Sequence, residues 1–267
     1  MTRTIAADNL VNQPTPQRPL YELRGVVKRR QSEDAPFHLL VSDTKFIQGE
    51  KIALVGESGC GKSTLLDMLA MVLQPDQSER FSLCLDDEMV DVAEIWSRRN
   101  QDTLSDLRKK HIGYVLQTGG LLPFLSVRDN ILLSRRLLNM DDDGTLEALA
   151  RKLGILDQLK KLPGLLSAGQ RQRVAIARAL AHKPCIVIAD EPTASLDPIT
   201  ARAVMDHFVE MVDELGTTLI CATHDWSQVE RLGLRKLHQQ TRALTETKGS
   251  ESVFSDEPCP SWPKSIP

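Results

Sequence analysis

Long apolar runs are missing from this chain. No stretch of its 267 residues approaches the ~20 apolar residues that cross a bilayer, and the N-terminal segment lacks the apolar core of a secretion signal. A protein that stays in the cytosol is expected. Charge of one sign is missing too: 33 basic residues face 36 acidic ones, for a formal net charge of −3. That balance leaves no electrostatic footprint for nucleic acid as the main partner, and Lys28-Arg29-Arg30 and Arg108-Lys109-Lys110 read as solvated faces. The five cysteines, at 60, 84, 185, 221 and 259, have no metal-ligand spacing. Cys185 and Cys221 lie in apolar strand-like runs, as reduced structural thiols do. Residues 1–19 and 245–267 are polar and rich in Pro, Ser or Glu, and disordered tails are expected there. Residues 20–244 suffice for one α/β core with an inserted helical subdomain.

What the chain does contain is a fixed succession of short polar segments at the ends of apolar runs. The first, Gly56-Glu57-Ser58-Gly59-Cys60-Gly61-Lys62-Ser63-Thr64, fits the phosphate-binding pattern G-x-x-x-x-G-K-[ST]. It stands between an apolar run at 52–55 and an amphipathic one at 65–73, the strand, turn and helix that the pattern requires. Glycines at 56, 59 and 61 let the backbone N–H groups turn inward around an anion, and the helix N-terminus adds its unpaired donors and partial positive charge. In such a loop Lys62 reaches the β- and γ-phosphates and the Ser63 hydroxyl takes one place around Mg²⁺. Only one such loop is present, which excludes tandem copies. Cys60 lies beside Lys62 and a helix N-terminus, surroundings that favour a thiolate.

The run Cys185-Ile186-Val187-Ile188-Ala189 is continuous, as in a parallel strand buried on both faces, and stops at Asp190-Glu191. Ligands bind at the carboxyl ends of such strands. Asp190 is the candidate Mg²⁺ ligand, and Glu191, pointing elsewhere, the candidate to polarise an attacking water.

With these two motifs in place, the segment between them carries a resemblance. Leu166-Ser167-Ala168-Gly169-Gln170, followed by the helical run at 171–180, resembles the signature motif of ABC (ATP-binding cassette) ATPases, and the similarity extends over residues 20–244. Ser167 is a good N-cap, and Gly169 allows a phosphate close to a helix N-terminus. The resemblance implies a P-loop NTPase core of mainly parallel sheet flanked by helices, an antiparallel β subdomain, and an inserted helical signature subdomain at about 118–182. It implies binding and hydrolysis of ATP with Mg²⁺. It also implies a homodimer or paired ABC subunit in which Ser167, Gly169 and Gln170 of one protomer reach the nucleotide held by the other. By position, Gln117 matches the Q-loop glutamine that contacts the metal, Asp197 in Ser195-Leu196-Asp197 the D-loop, and His224 the switch histidine near the γ-phosphate.

Within the family, Leu121-Leu122-Pro123-Phe124-Leu125 looks most like the lipoprotein-release and macrolide-export group. That resemblance implies a separate FtsX-like integral-membrane permease as partner and peripheral attachment to the cytoplasmic face of the inner membrane. The alternative is a soluble ABC ATPase acting on nucleic acid or ribosomes; the coiled coils, zinc inserts or second cassette usual there are not visible. The chain also departs from the family. Arg30 falls where most members stack an aromatic ring on adenine, and a guanidinium plane can stack similarly. Residues 76–101 lack the usual glycine turns and hold an extra helical piece at 92–99 containing Trp96. A basic run at 231–238, with Trp226 before it, stands in place of a familiar closing strand.

Overall fold

The structure, a computed structural model, describes residues 18–30, 35–244 and 249–258. The disorder expected at 1–17, 245–248 and 259–267, and Cys259, fall outside them. Two antiparallel strands, β1 (Pro19–Arg30) and β2 (Phe37–Ile47), lead into the short β3 (Lys51–Val55), apolar from Ile52 on, and the helix α1 (Lys62–Leu69). The hairpin β4 (Arg80–Leu85) and β5 (Glu88–Asp91) follows, then α2 (Val92–Ser97), α3 (Gln101–His111) and β6 (Ile112–Val115). Helices α4 (Val127–Leu137), α5 (Thr145–Lys152) and α6 (Ala168–Leu180) intervene before β7 (Ile186–Asp190). The chain then runs through α7 (Pro198–Leu215), β8 (Thr218–Thr223), α8 (Trp226–Arg231), β9 (Arg235–Ala243) and β10 (Ser250–Ser255).

The ten strands of the described residues form one sheet, in the order β5-β4-β1-β2-β10-β9-β3-β8-β7-β6. Its half from β9 to β6 is parallel. The other half is an antiparallel β subdomain, apart from the parallel β2–β10 pair that belongs to the join. Strand β7 shows why its sequence reads as a continuous apolar run. Ile186 and Ile188 enter one core with α1, α2 and the antiparallel strands, while Val187 and Ala189 enter a second with α6 and α7. A period of two, buried on both faces, leaves no polar position.

Two expectations need correction here. The segment expected as a disordered tail from 245 instead contributes β10, and the basic run read as replacing a closing strand leads into β9, its hairpin partner. Val253 and Phe254 are completely buried, and burying such a side chain contributes about 2 kcal/mol or more. The polar residues that disguise β10 are paired: Glu251 accepts from Arg242 at 2.8 Å, and Ser252 Oγ lies 2.8 Å from Thr241 Oγ1. The turn between β4 and β5 carries no glycine. Asp86 and Asp87 adopt φ of 49° and 66°, the left-handed pair that a two-residue hairpin turn requires and that Asp tolerates better than most residues. Where a helix was expected at 92–99, α2 ends at Ser97, with Asp91 as N-cap and Trp96 buried in the first core.

Gly113 fixes how closely α6 lies on the sheet. A Cβ built there would stand 2.1 Å from the backbone oxygen of Ala179, and a helix backbone cannot step aside as a flexible side chain can. Gly113→Ala is expected to lower stability by about 2 kcal/mol or more, read as a fall in the urea midpoint at unchanged slope.

Candidate functional site

Strand β3 ends at Val55, and the loop after it turns through left-handed glycines, Gly59 at φ 83° and Gly61 at φ 96°. Gly61 is doubly required, because a Cβ there would also meet Phe37 Cζ at 2.7 Å and Leu39 Cδ1 at 2.6 Å. It stands at the N-cap of α1 without a side-chain cap, so the helix's first N–H groups have no internal partner and face the loop. Lys62, 5% exposed, folds its ammonium across the loop and donates to the carbonyls of Gly56 at 2.7 Å and Glu57 at 2.9 Å. The positive charge is thereby held over the donors. Cys60 does not fit the thiolate reading. Burial pushes its thiol up, and the nearby Lys62 ammonium offsets only part of that.

In the sheet β3, β8, β7 and β6 are successive neighbours, and each carries a candidate residue at or just past its carboxyl end. Asp190 closes β7 with the Ser63 hydroxyl nearby; burial raises its carboxyl above the usual range, with the charges of Glu191 and Asp67 adding to that and Ser63 opposing it. Glu191, the next residue, has φ 45°, a left-handed conformation that costs a non-glycine residue about 1–3 kcal/mol. That turn directs its side chain away from Asp190 and between two partners. His224 Nε2 lies 2.7 Å from Glu191 Oε1, and Gln117 Nε2 donates to Glu191 Oε2 at 3.3 Å. The Glu191 side chain is 15% exposed, so solvent still reaches it.

A cavity of about 570 Å³ joins Lys62, Gln117, Glu191 and His224, and Asp190 is not part of its wall. Arg30, Ser58, Gly59, Gly61, Lys62, Ser63, Thr64, Gln117, Glu191 and His224 line it. Gly56, Glu57 and Cys60 face an adjoining groove of about 1050 Å³ under the β9–β10 hairpin, which also reaches Ser58, Gly59 and His224. The signature residues are not brought to the cavity. Ser167 caps α6 by a reciprocal capping box with Gln170, at 3.2 and 2.9 Å, and Gly169 lies against Thr200 on α7. Asp197 caps α7, accepting from the N–H groups of Ile199 and Thr200. Two residues of the cavity wall were not foreseen in the sequence, Phe37 and Ser250. Phe37 opens β2 directly opposite Arg30 in the antiparallel register. The signal for it was an aromatic residue beginning a strand, while Ser250 was hidden in the segment read as a tail.

Residues 41–194 match the ABC transporter family. The chain belongs to that family. Lipoprotein-releasing system ATP-binding protein LolD of Legionella pneumophila (strain Lens) is 34% identical over 194 residues, 71% of this chain and 81% of that protein. LolD of Hydrogenovibrio crunogenus is 39% identical over 186 residues, 68% of this chain and 77% of LolD. Macrolide export ATP-binding/permease protein MacB of Pasteurella multocida is 36% identical over 211 residues, 78% of this chain but 31% of MacB. Among solved structures, the ATP-binding cassette MJ0796 in a dimeric post-hydrolysis state bound to ADP and Pi superposes with a TM-score of 0.69 at 28% identity, covering 82% of this chain and 93% of that one. This ABC protein is therefore a P-loop α/β ATPase, the ATP-binding subunit of an ABC transporter.

Proposed function

We propose that the chain hydrolyses MgATP at a site shared between two protomers and passes the resulting motion to a separate FtsX-like permease, lying against the cytoplasmic face of the inner membrane without nucleic acid as a partner. The observation that carries the catalytic part is the Glu191 carboxylate held between His224 and Gln117 at the rim of the loop that carries Lys62. Glu191 takes the proton from the attacking water. His224, facing that carboxylate through Nε2, keeps it oriented and stands where charge grows on the transferred phosphoryl group. Lys62 and the N-terminus of α1 hold the β- and γ-oxygens, and Arg30 with Phe37 offers a guanidinium and a ring to the base.

The donor set fits magnesium. Ser63 and Asp190 stand near one another and offer only oxygen, and among the described residues no group of three or more His, Cys, Asp or Glu could hold a metal alone. A cation with one or two protein oxygens, completed by phosphate and water, is the magnesium pattern. When bound it would neutralise negative charge on the nucleotide's phosphates. Gln117, past the end of β6, stands where it can report that charge to the helices that follow.

The permease part is supported by similarity to LolD and to the ATP-binding portion of MacB. It is supported also by Phe124, 74% exposed just past Gln117, with Leu162 and Leu165 exposed before the signature. No helix of the described residues is long and apolar enough to cross a membrane, and an exposed aromatic beside exposed leucines is the kind of side chain that anchors a partner chain. Tagged protein solubilised from source-cell membranes is expected to bring down an integral-membrane chain. Phe124→Asp should lose at least about tenfold of that partner, as removal of a hot-spot anchor does, at an unchanged melting temperature. Recovery with ribosomes or nucleic acid, and no membrane partner, would overturn the reading in favour of a soluble ABC ATPase.

A further inference from the structure

One acidic side chain near the phosphate end of the site has no part in the roles above. Asp67 lies four residues after Ser63 on α1, so the two share a helix face one turn apart, and α1 packs on β7. On β6, Tyr114 stands opposite Ile188 of β7. Tyr114, Ile188 and, by the period of two, Asp190 all face α1. There the Tyr114 phenol donates to Asp67 Oδ1 at 2.9 Å. Burial, reinforced by Asp67, keeps that phenol protonated and therefore a donor. Asp67 and Asp190 are within Coulombic reach of one another. Two carboxylates at that range repel each other, and a divalent cation at Ser63 and Asp190 would relieve that repulsion.

We propose that Asp67, tethered by Tyr114, is a positioning residue of the metal site: from one turn below Ser63 it adds negative potential behind Asp190 and tightens the hold on the divalent cation that accompanies ATP. This rests on the proposed magnesium site. Asp67 does not touch the cation; it acts through Asp190 and Ser63, as outer-shell carboxylates do.

The test separates metal from nucleotide. In the non-hydrolysing Glu191→Gln background, ATP affinity is measured by calorimetry once with excess Mg²⁺ and once with EDTA, and the ratio is the contribution of the metal. Asp67→Asn keeps an acceptor for the Tyr114 phenol but removes the charge. It is expected to reduce that ratio about tenfold while leaving affinity in EDTA and the melting temperature as they were. Mn²⁺ bound to the ATP complex, read by electron paramagnetic resonance, should weaken in parallel. Tyr114→Phe keeps the charge and drops the tether, so it should reduce the ratio by a smaller factor, about threefold, and it serves as the reading should Asp67→Asn fail to fold. An unchanged ratio in these variants, or equal losses with Mg²⁺ and with EDTA, would overturn the role of Asp67. No tightening by Mg²⁺ in the reference protein would instead overturn the metal site itself.

Discussion

Glu191→Gln is expected to bind ATP normally and to turn it over a hundredfold to ten-thousandfold more slowly, about what loss of a positioned general base removes. The amide is nearly isosteric. It can sit in the same left-handed turn after β7 and keep its one oxygen towards Gln117 or towards His224, so one of the contacts at 3.3 Å and 2.7 Å survives in kind. What it cannot do is accept a proton from water. Lys62, the α1 N-terminus and the Ser63–Asp190 pair are untouched, so the ground-state hold on the nucleotide remains and the loss appears in kcat with little change in KM. Nucleotide-bound dimers should then accumulate, visible by size-exclusion chromatography only when ATP is present. Hydrolysis at the wild-type rate would remove Glu191 from the role and leave His224 as the group to examine.

How much of this was legible in the sequence depended on the range of the interactions. The loop at 56–64, the β7 run ending in Asp190-Glu191 and the cap at Ser167 are local devices, each written in a few consecutive residues, and the structure builds each of them. The meeting of Gln117, Glu191 and His224 was legible only through family resemblance, since it depends on β6, β7 and β8 becoming neighbours. Strand β10 was missed because composition counts Ser and Glu as polar without asking what they pair with. In the fold the Glu251 side chain is 8% exposed and bonded to Arg242, and Val253 and Phe254 supply the apolar burial. Cys60 was misjudged in the opposite sense. Proximity to Lys62 was readable, but the burial that outweighs it was not. At the base-binding end, Arg30 was read alone, and its partner Phe37 appeared only when the register of β1 and β2 was fixed.

The second large effect concerns the separation between the signature helix and the loop of the same chain. Ser167, Gly169 and Gln170 do not line the cavity that holds Lys62 and Glu191, and Gly169 lies against Thr200 on the far side of β7. The first-turn donors of α6 that the Ser167–Gln170 capping box leaves open thus have no phosphate to meet within one chain, whereas MJ0796, similar at a TM-score of 0.71 and 26% identity, is known as a dimer. If two chains pair head to tail, each site takes its lysine from one protomer and its signature from the other. Lys62→Ala removes the charge that holds the γ-phosphate, and Ser167→Arg fills the approach to α6; each is expected to abolish ATPase activity on its own while leaving thermal stability intact. Mixed in equal amounts, the two inactive proteins exchange subunits, and about half of the resulting symmetric-type pairs are mixed. In a mixed pair both lesions fall in one composite site and the other site is intact. ATPase should therefore reappear at about a quarter of the wild-type rate, provided one site turns over alone, since half the pairs carry one working site of two. The measurement is steady-state phosphate release against mixing ratio, with exchange followed by a fluorescently labelled subunit. Silence at every ratio despite exchange would mean that the two sites fire only together, and activity that stays constant per chain on dilution to a monomer would remove the shared site altogether.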